Sequence, residues 1–371
     1  MKILIIMAGF FPGKKYGGPP VSVDNFCTLM ESHECYIVTT NHDLGDNESY
    51  KNIHSGWNDR GNCKVCYLSN SEYRKKFFDR IILEIKPEFI YLQGLFQRCI
   101  IPCLLLAKKH KIKVLLAPRG ELCVGAFKKK YKKILYILYL KMFGLLKDVL
   151  FQSTSDEETE AIQHWLNVQS EKIHQISNVP SLPKCSYPKE KKETGHARFV
   201  FLSRIVEKKN LQVALSAIVN VKGDVVFDIY GPIEDEKYWE MCQRIIAGMP
   251  VNLKINYCGL VAHDKVHEIF SRYDAFVFPT QSENFGHVIA EALSVGTYAI
   301  ISDQTPFSDL GFFSAGKAIS LSKPDVFSVA MQEVVDWNEK QAWIQRENAK
   351  KYLQEKLNLQ QLKEDYSEIF C

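Results

Sequence analysis

The sequence predicts an α/β protein made of two doubly wound, Rossmann-like domains facing a central cleft. The chain has 371 residues, more than one hydrophobic core usually organises. Short apolar or β-branched runs alternate with longer amphipathic ones, the pattern of βαβ units on parallel sheets. The alternation stops once, at residues 180–195, where three prolines and the run Lys189-Glu190-Lys191-Lys192-Glu193 occur, and then resumes. That break reads as an interdomain linker.

In the first half, strands are expected over residues 3–7, 35–39, 64–68, 89–92, 113–117 and 149–153. Helices are expected over 21–31, 73–85 and 156–165, the last one following the helix-start cluster Ser153-Thr154-Ser155. In the second half, strands are expected over 199–202, 225–230, 253–258, 275–278 and 298–301. Leu359, Leu362, Tyr366 and Ile369 fall on one face of a C-terminal helix. The domains are therefore drawn as 1–182, a linker at 183–198, and 199–356. A helix within 357–371 packs back on the first domain. Sheets of this kind bind ligands at the carboxyl ends of their strands.

Composition narrows the function classes. A net charge of +4 is too small to argue for a nucleic-acid partner. Eleven scattered cysteines suit a reducing, cytoplasmic compartment, where they act as small buried apolar residues. Cys63 and Cys66 form one CxxC, but no second pair or nearby histidine completes a zinc site. His33, His42, His54 and His110 form no cluster, and Trp165, Trp239 and Trp337 read as core or interface residues. The apolar start of the chain runs directly into Phe11-Pro12-Gly13-Lys14-Lys15, without the small-residue cleavage site of a signal peptide. The apolar run at residues 134–140 falls far short of the ~20 residues that span a bilayer.

The chemistry concentrates at Glu283-Asn284-Phe285-Gly286-His287-Val288-Ile289-Ala290-Glu291. This segment follows the strand at 275–278 and opens a helix. Gly286 allows close backbone approach, and the helix N-terminus offers free N–H groups to a diphosphate. Glu283 precedes the helix and Glu291 lies on it, so two carboxylates could accept hydrogen bonds from different hydroxyls of one ligand. On spacing alone, a capped amphipathic helix with solvated glutamates is equally consistent. His287 reads as packing or as a ligand contact.

This segment, continued by Ala292-Leu293-Ser294-Val295-Gly296-Thr297, resembles the donor-site signature of the family 4 (group 1) retaining glycosyltransferases. Ser203-Arg204-Ile205-Val206-Glu207-Lys208-Lys209-Asn210 is similar to their Gly-Arg-Leu-x-x-x-Lys-Gly segment, with Ser203 and Asn210 in place of two glycines. The resemblance extends to Tyr230-Gly231-Pro232, to Cys258-Gly259-Leu260-Val261, and to Gly17-Gly18 after the first strand. Pro118-Arg119-Gly120-Glu121 is similar to a variant found in a bacterial surface-polysaccharide subgroup.

The resemblance implies a GT-B fold with an acceptor-binding first domain and a nucleotide-sugar-binding second domain. It implies donor contacts by Gly17, Gly18, Arg204, Lys209, Gly231, Val261, Asn284, Phe285, Gly286 and Glu291, and a catalytic set of Glu283, Arg119 and Glu121. Glu291 would take the ribose and Glu283 the transferred sugar. UDP-sugar is the favoured donor, and the acceptor is a glycan hydroxyl, such as one linked to undecaprenyl diphosphate, in polysaccharide or O-antigen assembly. No cofactor is expected. The absence of an Asp-x-Asp pair fits a site that needs no metal, since such a pair commonly holds the divalent ion.

Two cations placed beside the leaving diphosphate make physical sense, because negative charge grows there as the glycosidic bond breaks. The stretch Phe127-Lys128-Lys129-Lys130-Tyr131-Lys132-Lys133, running into residues 134–140, suggests peripheral contact with the anionic inner face of the plasma membrane. A surface helix with a solvated lysine face is the plain alternative. Two other function classes stay open. A nucleotide-sugar 2-epimerase of the same architecture would need acid and histidine groups to move a ring proton. A non-enzymatic ligand-binding protein would hold donor without turnover.

Overall fold

The structure, a computed structural model, describes residues 1–123 and 130–370. It divides into two compact units. The first is Met1–Val179 together with the C-terminal helix Leu359–Phe370; the second is Pro180–Asn358.

Among the described residues, the first unit holds an eight-stranded sheet: β1 (Lys2–Ile6), β2 (Glu34–Thr40), β3 (Trp57–Asp59), β4 (Lys64–Leu68), β5 (Phe89–Gln93), β6 (Lys113–Ala117), β7 (Val149–Ser153) and β8 (Ile173–Gln175). The spatial order is β3-β4-β2-β1-β5-β6-β7-β8. All neighbours are parallel except β3, which runs antiparallel to β4 at the edge. Helices α1 (Gly18–Leu29), α2 (Lys75–Ile85), α3 (Ile100–His110), α4 (Lys130–Met142) and α5 (Asp156–Leu166) make the crossovers.

Central β1 shows why its sequence is apolar after Lys2. Ile3 and Ile5 enter the hydrophobic cluster on one face of the sheet, and Leu4 and Ile6 enter the cluster on the other. A parallel strand covered on both faces cannot alternate polar with apolar. The same alternation separates Cys63 from Cys66, which join opposite clusters, so this CxxC does not converge on one ion.

The final helix, α12 (Leu359–Phe370), supplies Leu362, Tyr366, Ile369 and Phe370 to the first unit's core. Phe26 lies 5.0 Å from Tyr366 and 5.7 Å from Phe370, and Phe89 lies 5.0 Å from Phe370, ring centre to ring centre. Gln152 donates to the Tyr366 hydroxyl at 2.8 Å, which gives a buried phenol a partner.

The second unit is built on a six-stranded parallel sheet: β9 (His196–Leu202), β10 (Asp224–Tyr230), β11 (Leu253–Gly259), β12 (Ala275–Phe278), β13 (Tyr298–Ser302) and β14 (Gly316–Ile319), in the order β11-β10-β9-β12-β13-β14. Its helices are α6 (Leu211–Ile218), α7 (Glu236–Ala247), α8 (Val266–Ser271), α9 (His287–Ser294), α10 (Asp325–Asp336) and α11 (Glu339–Lys356). A capping box starts α11: Asn338 accepts from the Gln341 N–H, and Gln341 accepts from the Asn338 N–H, both at 3.0 Å.

The proline- and charge-rich stretch before β9 is tied to this unit by lysine ammonium groups. Lys189 reaches the Thr297 hydroxyl at 3.0 Å and the Tyr273 carbonyl at 3.3 Å. Buried Lys192 reaches the carbonyls of Glu193, His196 and Val335.

Candidate active site

The carboxyl edge of the second sheet gathers most of the expected residues. Strands β9 and β12 are direct neighbours, so the loops that leave them, 203–210 and 279–286, run side by side. The Gln281 N–H donates to the Lys208 carbonyl at 2.9 Å, which locks one loop on the other. At the end of β12, the Phe278 ring lies beneath the Lys209 ammonium, its centre 5.4 Å away.

Lys209 is buried and ion-paired with Glu283 Oε1. The Thr280 hydroxyl lies 3.2 Å from the same carboxylate oxygen, and the Glu283 N–H is anchored on the Gln304 carbonyl at 3.1 Å. A lysine expected at a diphosphate and a glutamate expected at a sugar are thus direct partners. Asn210 takes a left-handed φ of 59°, which asparagine tolerates better than most residues. This explains how it can stand at a position that resembles a glycine.

Gly286 caps α9 with φ 80°. A Cβ there would sit 3.0 Å from the Ile289 side chain, so both conformation and space favour glycine. The first N–H groups of α9 have no carbonyl within the helix to bond, and the helix dipole directs partial positive charge to this end. Phe285 is buried, 4.5 Å from the His287 ring and 6.2 Å from the Phe307 ring, and it holds the turn from beneath. Asn284 is partly exposed beside it.

Glu291 lies one turn into α9 and is 5% exposed. Burial pushes its carboxyl up to about 8. Its nearest basic neighbour, His263 Nδ1, stands 3.9 Å away on a side chain one-third exposed. That separation exceeds a hydrogen bond, so burial governs the carboxyl.

Arg204 follows β9, is substantially exposed, and pairs with Glu234 at 2.9 Å. Gly231, after β10, has φ 137°, and a Cβ there would lie 1.8 Å from the Ser203 carbonyl oxygen. Glycine is needed at this position so that the β10 end can pack on the β9 end, whatever else it touches. The Gly231 N–H donates to the Gly259 carbonyl at 2.8 Å, which brings the turn carrying partly exposed Val261 alongside. Arg204, Lys209, Gly231, Val261, Glu283, Asn284, Phe285, Gly286 and Glu291 therefore all lie on one edge of one sheet.

The remaining expected residues belong to the first unit. Gly17, at φ 69°, caps α1, and Gly18 is its first residue. Arg119 follows β6 at φ 58°. Its guanidinium donates to Gln93 at 2.7 Å, to Asn178, and to the Tyr91 hydroxyl at 3.3 Å. Glu121 accepts from the N–H groups of Leu95 at 2.6 Å and Phe96 at 3.0 Å, and from Gln97 at 3.2 Å. Both side chains tie the 118–121 turn to neighbouring strand ends. Buried Glu158 completes the clamp by accepting from the Gly120 N–H at 2.6 Å.

Sequence reasoning did not pick out Thr280, Glu234, His263 or Glu158. Each acts through a partner outside its own motif, and none sits in a spacing that advertises it.

With this geometry in place, comparison with known proteins is decisive for the second unit. Residues 186–354 match the family model described as glycosyl transferases group 1. The second unit matches the group 1 glycosyl transferases along almost its whole length. HepE of Anabaena, solved in complex with UDP and glucose, is similar over 100% of this chain and 99% of its own, with a TM-score of 0.73 and 13% identity. WaaG, a glycosyltransferase involved in lipopolysaccharide biosynthesis, is similar over 99% of each chain, with a TM-score of 0.66 and 13% identity. These likenesses establish the GT-B fold. Among curated sequences, the GtfA subunit of a UDP-N-acetylglucosamine–peptide N-acetylglucosaminyltransferase from Streptococcus agalactiae is 28% identical over 141 residues. That match covers 36% of this chain and 26% of the relative. The chain thus spans about a quarter of that relative's length.

Proposed function

We propose that the protein is a retaining glycosyltransferase that moves a sugar from a nucleoside diphosphate sugar, UDP-sugar favoured, to a hydroxyl of a glycan acceptor. The observation that carries the reading is the single sheet edge on which Arg204, Lys209, Glu283, Gly286 and Glu291 assemble, with α9 opening towards it. Relatives of similar fold are solved with UDP and with UDP-glucose, which supports the choice of donor.

In this reading the diphosphate lies at the N-terminus of α9, where N–H groups and the cations of Arg204 and Lys209 stabilise the charge that grows on the leaving group. Arg204 exchanges part of its contact with Glu234 for the diphosphate. Glu291 takes the ribose hydroxyls inside its buried pocket, and Glu283, held by Lys209 and Thr280, orients the transferred sugar. The acceptor hydroxyl attacks the face from which the diphosphate departs, and a diphosphate oxygen takes its proton. Arg119 and Glu121 serve as positioning residues for the 118–121 turn.

We assign the acceptor to the lipid-linked class, handled at an anionic membrane surface during surface-polysaccharide assembly. Support comes from α4. Tyr131, Leu135, Leu138 and Met142 recur along one face of this helix and are 54–75% exposed, an apolar stripe accompanied by lysines. Phe127, Lys128 and Lys129 of the basic stretch lie outside the described residues. No helix among the described residues is long and apolar enough to cross a membrane.

The test is incubation with a panel of nucleotide sugars, with and without a lipid diphosphate acceptor, read by mass spectrometry. Transfer product with the wild type and none with Glu283→Gln is expected. A new sugar nucleotide in the absence of acceptor would replace this reading with an epimerase. Donor binding with no product in any arm would leave a binding protein.

A further inference from the structure

At the carboxyl edge of the second sheet, His263 is the titratable neighbour of Glu291. It opens the short turn His263–Lys265, which follows β11 and the turn at residues 258–261. Its Nδ1 stands 3.9 Å from Glu291 Oε1. The imidazole is about one-third exposed, whereas the Glu291 carboxyl is almost wholly buried. A side chain in contact with water thus stands beside a carboxyl that burial cuts off from it.

The other charged groups on the elements around α9 are committed elsewhere. On the preceding loop, Glu283 pairs with Lys209. On the His263 turn and α8, Lys265 and Arg272 both pair with Glu268, at 3.0 and 2.5 Å, and Asp264 is exposed. On α11, Arg346 pairs with Asp274 at 3.2 Å and Lys350 with Glu347 at 2.9 Å. Strand β13 brings no charged residue. His267 is bonded to the Ser181 carbonyl at 3.2 Å, and burial lowers its ring below the usual histidine range. Among the described residues, His263 is therefore the group placed to exchange a proton with Glu291.

We propose that His263 is a positioning residue of the donor site: it receives the Glu291 proton when a nucleotide binds, so that the ribose meets a carboxylate held beside an imidazolium. The inference rests on the placement of the ribose at Glu291. The O–H bond of the carboxyl breaks, an N–H bond forms on His263 Nδ1, and no proton passes to solvent. Two ribose hydroxyls both donate, and a carboxylate can accept both, whereas a protonated carboxyl spends one oxygen on its own hydrogen. Bonds to the ionised form are also the stronger ones. Beside that carboxylate the imidazole keeps its proton above its ordinary value of about 6.5. Without His263 the proton has to go to water. Burial holds the carboxyl at about 8, so this release costs about tenfold in affinity at about pH 7 and almost nothing at about pH 9.

Calorimetric titration of UDP, in two buffers of different ionisation enthalpy, counts the protons exchanged. The panel is wild type, His263→Gln, Glu291→Gln and the double variant, at about pH 7 and about pH 9. Glutamine keeps a polar side chain but takes no proton, and circular dichroism checks that each variant folds. Glu291→Gln gives the baseline for protons that UDP itself exchanges. The wild type should stay at that baseline. His263→Gln should release close to one proton more per UDP and bind about tenfold more weakly at about pH 7, recovering to within about twofold at about pH 9. In the Glu291→Gln background, His263→Gln should change nothing. Wild-type affinity and proton count in His263→Gln would overturn the proposal. A loss that persists at the higher pH, or in the Glu291→Gln background, would also overturn it, because a purely structural role does that. UDP binding that ignores His263 sinks this inference alone, whereas no UDP binding by the wild type sinks the donor site and this inference with it.

Discussion

Replacing Glu291 by glutamine should change how stability depends on pH. Burial raises this carboxyl from 4.5 to about 8, so the folded chain holds the proton more tightly than the unfolded chain. The stabilisation this provides is complete below pH 4.5 and is lost as pH rises through 8. Each tenfold difference in proton affinity is worth about 1.4 kcal/mol, so roughly 2 kcal/mol has gone by about pH 6 and about 5 kcal/mol by about pH 9. A glutamine amide keeps the shape and has no proton to lose. The variant should therefore gain about 2–3 kcal/mol on the wild type between about pH 6 and about pH 9. For a unit of this size, that moves the gap in melting temperature by roughly 5–10 °C. Thermal melts followed by circular dichroism, at steps of one pH unit across this range, measure it. A gap that stays constant throughout would show that Glu291 is already ionised at the acid end, and the pocket as described would be wrong.

Other outcomes follow from the same geometry. Lys209→Met leaves the Glu283 carboxylate largely buried without its cation and should cost about 3 kcal/mol, whereas Lys209→Met/Glu283→Gln should recover much of it in chemical denaturation. Gly231→Ala drives a Cβ into the Ser203 carbonyl and should lower the melting point by several degrees, although alanine is neither large nor polar. Leu135→Glu/Met142→Glu lies on an exposed helix face, so stability should move by less than about 0.5 kcal/mol. Its flotation with anionic vesicles at low salt should drop sharply; undiminished flotation would remove α4 from the membrane contact.

Much of the fold was legible because the central parallel strands are covered on both faces and so carry apolar runs. β1, β5 and β12 announce themselves in this way. The strands that escaped were β3, β8 and β14, short edge pieces whose residues are partly exposed and lack such a run. The Glu283–Glu291 segment was readable because helix start, glycine and carboxylates fall within nine residues. What could not be read was who faces whom. The Lys209–Glu283 pair spans 74 positions and the Gln152–Tyr366 bond spans 214, and only the folded chain brings such partners together. The function of Gly231 was also hidden, because its constraint comes from the backbone of a neighbouring strand.

The central claim is that the carboxyl edge of the second sheet holds a nucleoside diphosphate. Calorimetric titration of UDP into the wild type and Arg204→Ala tests it most directly. The account predicts saturable binding by the wild type and weakening of about tenfold in Arg204→Ala. UDP affinity unaltered by Arg204→Ala, or no binding by the wild type, would contradict it.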